Sequence, residues 1–159
     1  MNAQLIYFSN LKWLFLSLVI MFFDLMTKFL VMNNCVYGKP IFIFSCVNCY
    51  YVHNFGVAFS LLSHIGIKYN ALLSCIIILI ILVLVFMLCC LDINSSYFFK
   101  IGYSVIIGGA LGNVFNRIYY GVVIDFIDFH IGYWHWPTFN VADLGIFVGV
   151  VCIILSNKV

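Results

Sequence analysis

The chain has 159 residues, 66% of them hydrophobic and 19% aromatic, with only 8% charged; seven Lys and Arg face five Asp and no Glu, for a formal net charge of +2. Soluble domains run near half apolar and about a quarter charged, and a small water-soluble globule leaves much of its surface wet, so lipid is the expected solvent. The same numbers exclude disorder, collagen-like repeats and nucleic-acid binding, which needs a basic patch that this charge balance does not supply.

The first expected span, about residues 13–32, contains Asp24 and Lys28. Its length, its two charges and the lack of an A-x-A-like cleavage site argue against a removable signal peptide. A long loop follows, residues 33–70, and strand-like alternation around residues 40–52 predicts a small extramembrane β element there, with a surface helix as a further expectation. The second span, residues 71–91, has no charge at all. At about 1.5 Å per residue it crosses a hydrocarbon core of roughly 30 Å. A short polar turn with Asp92 and Asn94 leads to the third span, about residues 101–120, which carries Asn113 and Arg117. The second long loop, residues 121–138, holds Asp125 and Asp128, and the fourth span, about residues 139–156, opens on Asn140 and Asp143.

The expected fold is therefore an all-α polytopic membrane protein of four transmembrane helices with a small extramembrane β element. No internal repeat or linker divides it, so residues 1–159 read as one integral membrane domain. Lys12, Lys100 and Lys158 fall on the side of the termini, and Lys39, Lys68 and Arg117 on the other, so the positive-inside rule does not orient it.

Alternating span direction brings Asp24 and Lys28, Asn113 and Arg117, and Asn140 and Asp143 to the same depth, at the face that carries both long loops. Ionisable groups within a span are costly and mark a functional site by default. Asp24 and Lys28 are spaced i,i+4 with the acid first, the favourable order for a helical ion pair; such a pair serves equally as glue between helices. Asp143 has no opposite charge within a helical turn. A loop Asp facing a helix Asp can share one proton, because two adjacent carboxylates cannot both ionise comfortably. One then activates a water against a peptide carbonyl while the other protonates the carbonyl oxygen and the departing amine. From the residues alone, Asp125 and Asp128 both remain open as the loop partner, and no Ser or Cys has a His–acid arrangement beside it.

Five segments, in order and nearly spanning the chain, resemble lipoprotein signal peptidases (signal peptidase II). They are Asp24-Leu-Met-Thr-Lys28, Asn54-Phe-Gly56-Val-Ala58-Phe-Ser60, Gly108-Gly-Ala-Leu-Gly112-Asn113, Val123-Ile-Asp125-Phe126 and Phe139-Asn140-Val-Ala-Asp143. The resemblance implies Asp125 and Asp143 as a catalytic dyad. It also implies that Asn54, Gly56, Ala58, Asn113, Arg117 and Asn140 shape the site, supported from behind by Asp24 and Lys28. It implies no metal or organic cofactor. The partners it implies are lipid-modified prolipoprotein substrates, cut just before the lipobox Cys, and membrane lipid; the protein is expected to act as a monomer. It places the termini in the cytoplasm and the site on the extracytoplasmic face of the bacterial inner membrane. One position departs from the family pattern: Asn116 stands where an Asp is usual, and the expected consequence is a less firmly held Arg117.

The rival reading is a small proton- or ion-coupled transporter subunit using the intramembrane Asp and Lys residues, and a third is a structural anchor. A transporter should carry polar groups through both leaflets, whereas these collect at one. Four of the seven Cys (Cys75, Cys89, Cys90 and Cys152) fall within the expected spans as small apolar residues. Cys35, Cys46 and Cys49 lie outside, and a Cys46–Cys49 disulfide is open on spacing. The four His show no metal-ligand spacing, and Tyr133-Trp-His-Trp136 reads as an interfacial aromatic belt.

Overall fold

A computed structural model describes residues 10–56, 63–92 and 94–156, with backbone only for 63–69. Helix α1 (Leu14–Asn34) leads into strands β1 (Pro40–Phe44) and β2 (Val47–Asn54); helices α2 (Ser63–Cys90) and α3 (Tyr97–Tyr120) follow, then β3 (Val123–Ile131), β4 (Trp134–His135) and α4 (Val141–Ser156). Three helices are long and apolar enough to cross a membrane: Leu14–Asn34, Asn70–Cys90 and Tyr97–Tyr120. Helix α4 is apolar but has 16 residues, about 24 Å at the helical rise. The expected surface helix is not a separate element among the described residues: 63–69 are the first turns of α2.

The packing is inverted relative to a soluble protein. The buried residues of α1 are Ser17, Asp24, Lys28 and Val31, a stripe at spacings of seven, four and three that marks one helix face. Phe15, Leu18, Phe22 and Phe29 point outward. Helix α2 likewise exposes Leu72, Leu79, Leu82 and Phe86, while Ile81 and Leu88 pack on Tyr103, Ile107, Ala110 and Val114 of α3. Helix α3 is the centre of the bundle, with 67% of its spanning window buried against 22% for the other two spans.

Small residues allow the close approaches. A Cβ on Gly108 would lie 2.5 Å from the Ser17 carbonyl oxygen, and one on Gly149 would lie 2.7 Å from that of Gly102. Such seams bring backbones together where lipid gives helices no hydrophobic reason to associate. Ser17 uses the proximity to donate to the Ser104 carbonyl at 2.8 Å.

Helix α3 starts at Ser96, whose hydroxyl accepts from the Phe98 N–H. It stops at Gly121, where φ of 75° puts the backbone in the left-handed region that glycine tolerates. Asn70 donates to the carbonyls of Arg117 and Gly121, the first of which also accepts from the Gly121 N–H.

The β element is larger than expected. The hairpin from the first loop pairs with β3 from the second, giving one antiparallel sheet in the order β1-β2-β3-β4. Within the β2–β3 ladder Asn48 faces Asp128, but Val52 faces Asp125 and Asn54 faces Val123. One extra residue on β2 is therefore absorbed in a bulge between Cys49 and Val52. Side chains alternate faces along a strand, so this one-residue shift turns Asn54 onto the face of Asp125. Asp128, three residues along the unbulged β3, is on the opposite face.

No two of the seven cysteines are bonded in this structure. Cys49 stands against Cys35, Sγ to Sγ 3.5 Å, so the Cys46–Cys49 pairing left open by the spacing is not the one the fold brings together.

Candidate active site

Helix α4 begins with a reciprocal cap. The Asn140 Oδ1 accepts from the Asp143 N–H at 3.0 Å, and the Asp143 Oδ2 accepts from the Asn140 N–H at 3.4 Å. This is the capping-box arrangement, with Asp in the place of the usual Glu. It explains locally why Asn and Asp stand three apart at the head of an apolar helix. The cap leaves the Asn140 amide nitrogen directed into the protein, where Nδ2 donates to the Asp125 Oδ1 at 2.7 Å. A single side chain thus touches both carboxyl-bearing residues.

Each carboxylate has one further amide donor. Asn54 Nδ2 reaches the Asp125 Oδ2 at 2.9 Å, and Asn113 Nδ2 reaches the Asp143 Oδ1 at 2.8 Å. Asn113 is held in that orientation because its Oδ1 accepts from Lys28 Nζ at 2.9 Å and from Asn140 Nδ2 at 3.2 Å. Lys28 also donates to the Asp24 Oδ2 at 2.7 Å, in a pair buried from solvent. The other Asp24 oxygen accepts from the Ala142 N–H in the first turn of α4 at 2.9 Å, where the helix dipole favours negative charge. Gly112 leaves room for this pair: a Cβ there would collide with the Asp24 carboxylate. Gly109 plays the same part against the Ala142 carbonyl, a role that its place in the glycine-rich segment had not revealed.

Arg117 is buried, and its guanidinium spans two elements. Nη2 donates to the Gly56 carbonyl at 2.8 Å and Nη1 to that of Asn113 at 3.4 Å. Gly56 in turn donates its N–H to the Asn54 Oδ1, so Arg117, Gly56 and Asn54 form one chain from α3 to the Asp125 carboxyl.

Asn116, the one departure from the family pattern, has its partner beyond the end of its own helix. The Asn116 Oδ1 accepts from the Ile124 N–H at 3.2 Å, so it seats the start of β3 beside Asp125. Ala58 lies outside the described residues. Asp128 belongs to a separate cluster, accepting from Asn48 at 2.9 Å and meeting His135 Nδ1 at 2.7 Å. Burial opposes its ionisation, but the His135 and Asn48 hydrogen bonds outweigh burial and hold its carboxyl below the ordinary range.

The two central carboxyls differ in environment. Asp125 is fully buried and Asp143 half-buried. Burial first, and the nearby charge of Asp143 second, push the Asp125 pKa up to about 7, against the opposing pull of its Asn54 and Asn140 hydrogen bonds. At neutral pH it is therefore poised between holding and releasing a proton. Asp143 is at the wall of two cavities. One, of about 210 Å³, is polar near Asn54, Asn113 and Arg117 and apolar toward Ile80, Leu84 and Ile146. The other, of about 200 Å³, is lined by Trp136, Phe139, Leu144 and Phe147 as well. Two carboxyl-bearing residues joined by Asn140 beside an apolar groove suit hydrolysis at a membrane edge. Among the described residues no three His, Cys or acidic side chains come together as a metal site.

Comparison with known proteins agrees with this geometry. A family model described as signal peptidase (SPase) II matches residues 16–158. The lipoprotein signal peptidase of Blochmanniella pennsylvanica is 46% identical over 143 residues, covering 90% of this chain and 86% of that protein. That of Shigella boydii is 39% identical over 155 residues, covering 98% and 94%. A bacterial membrane enzyme solved by the in meso method at 2.3 Å superposes with a TM-score of 0.77 at 26% identity, over 92% of this chain and 87% of its own. Another, solved at 1.9 Å, gives 0.74 at 27% identity, over 91% of each. Matched from the first helix to the last, the chain belongs to the signal peptidase II family of bacterial membrane peptidases.

Proposed function

We propose that the chain is an intramembrane aspartyl endopeptidase that removes signal peptides from diacylglyceryl-modified prolipoproteins, cleaving before the lipobox cysteine, with Asp125 and Asp143 as its dyad. The observation that carries this reading is the double contact of Asn140 with the two carboxyl-bearing residues. Asp143, at a helix N-terminus and with an Asn113 donor, takes a proton from the attacking water. Asp125, with its raised pKa, holds the proton given to the scissile carbonyl oxygen and later to the departing amine.

Asn54 and Asn140 orient the dyad, Asn113 aligns Asp143, and Arg117 with Gly56 anchors the segment that carries Asn54. Ala58 belongs to that same segment of the family motif. Asp24 and Lys28 act as positioning residues through Asn113 and the head of α4. The apolar cavities beside Asp143 suit acyl chains and the apolar flank of a signal peptide.

In this reading α4 is the fourth span of a single membrane domain. The termini are cytoplasmic, the sheet and site face the outer side of the inner membrane, and the enzyme works as a monomer without a cofactor. The transporter reading has no support among the relatives.

The test is cleavage of a diacylglyceryl-modified lipobox peptide. Asp125→Asn and Asp143→Asn should each lower the rate by about 10²–10⁴-fold, the usual worth of a positioned acid or base. Full activity in either variant overturns the dyad, and equal cleavage of the unlipidated peptide overturns the substrate class.

A further inference from the structure

The segment leaving α1 lies alongside β2. The Cys35 N–H donates to the Val31 carbonyl at the end of the helix, and the Gly38 N–H donates to the Tyr51 carbonyl at 3.0 Å. Between these anchors Tyr37 meets the Tyr51 ring edge-on, centroids 5.6 Å apart. The same offset of 14 residues brings Cys35 to Cys49, Sγ to Sγ 3.5 Å. The two thiols are thus apposed by a backbone hydrogen bond and a registered aromatic pair two residues away. A disulfide would bring the two sulfurs from this distance to about 2.05 Å.

We propose that Cys35 and Cys49 form a disulfide in the mature protein, stapling the end of the helix that carries Asp24 and Lys28 to the strand that carries Asn54. The inference rests on the orientation proposed above, which places both thiols in the oxidising compartment outside the inner membrane. The oxidant is a protein or small-molecule disulfide. Burial first, and the Cys35 contact second, push the Cys49 thiol up to about 11, so Cys35 makes the first attack. Its thiolate displaces one oxidant sulfur as a thiolate and leaves a mixed disulfide. The Cys49 sulfur, giving up its proton to the released thiolate, then attacks the Cys35 sulfur and expels the second oxidant sulfur. The protein loses two protons and two electrons, and the oxidant gains both as two thiols. Cys46 takes no part; its carbonyl accepts from the His130 N–H.

The full-length protein, extracted from membranes, quenched with acid against thiol exchange and denatured, should accept maleimide at five of its seven cysteines without reduction (seven less the joined two) and at seven after it. Cys35→Ser and Cys49→Ser should each show six sites with or without reduction, and Cys46→Ser four without and six with. Seven reactive thiols in the unreduced wild type, or a mapped cross-link that includes Cys46, overturns the proposal. A cysteine placed by Tyr133→Cys at the fully exposed sheet tip, 104% exposed, separates this from failure of the orientation. Labelling of that site by a membrane-impermeant maleimide in spheroplasts, with seven free thiols in the wild type, sinks the disulfide alone. Labelling only after lysis sinks the orientation and the disulfide with it.

Discussion

Asp125 is buried and accepts from two asparagine amides, whereas Asp143 caps a helix at the wall of a cavity, and this contrast has consequences for pH. A carboxyl whose pKa is about 7 when folded, against an ordinary 3.8, binds more protons folded than unfolded between those values. Its contribution to stability is therefore fully present below about pH 4 and is lost as pH rises through 7, by a total on the order of 4 kcal/mol. Asp125→Asn should flatten the fall in melting temperature between pH 4 and 8; an unchanged slope would mean that Asp125 is not the buried titrating group. The cleavage rate of the wild type should follow a bell, declining above about pH 7 as the shared proton is lost, and a flat profile argues against a proton-sharing dyad. Gly112 offers a separate residue-scale test. Asp24 is held by Lys28 and by the Ala142 N–H, so it cannot swing away from an added methyl. Gly112→Ala should cost about 1–3 kcal/mol and reduce cleavage, measurable by thermal unfolding in detergent alongside the peptide assay. An unchanged melting temperature would show that the contact gives way.

The joint between α3 and β3 illustrates how elements place the dyad. Asn116 closes it by accepting from the Ile124 N–H, one residue before Asp125. Asn116→Ala leaves that buried N–H unpaired, at a cost of about 1–3 kcal/mol, and should lower cleavage. Asn116→Asp keeps the acceptor, so β3 should stay in place and the activity should exceed that of the Ala variant. Equal activity in the two variants would show that the joint does not matter. The position was legible in the sequence as a departure from a family pattern, but its partner was not. The Asn116 amide meets a strand beyond the helix end, and nothing in the local pattern names that donor. The bulge in β2 was hidden for the same reason. Whether Asn54 faces Asp125 depends on a register set between strands about 70 residues apart, and every local pattern is compatible with either face.

Across the whole molecule, the apolar surface is a ring of outward-facing Phe, Leu and Ile around a polar centre, and α4 is the shortest part of that ring. As the proposed fourth span, a helix of about 24 Å in a hydrocarbon core of roughly 30 Å is accommodated by a thinner bilayer around it or by snorkelling at its ends. Reconstitution into bilayers of increasing acyl length should therefore lower the cleavage rate once the core exceeds the span of α4. A rate that is constant, or highest in the thickest bilayer, would contradict a membrane-crossing α4. The clustering of the helix-borne site residues at one end of the bundle follows from the up-and-down connection of the helices, which is why it could be inferred before any contact was known.

The sequence by itself determined the solvent, the depth at which the scarce charges lie, the helical Asp24–Lys28 pair and the family. The solvent and the ion pair depend on composition and on spacing within one turn of a helix, the depth on the alternating direction of the spans, and the family on five short segments in order. The residues left the loop Asp open and the resemblance pointed to Asp125; the tertiary structure alone decided that Asn140 links it to Asp143, what Arg117 and Asn116 hold, which cysteines stand together, and that the two loops make one sheet. In a chain this apolar, almost every face of every helix is fit for burial, so hydrophobic periodicity cannot choose among partners. The choice falls instead to glycine-sized gaps and to buried amides, carboxylates and cations that must each find a hydrogen bond across the bundle.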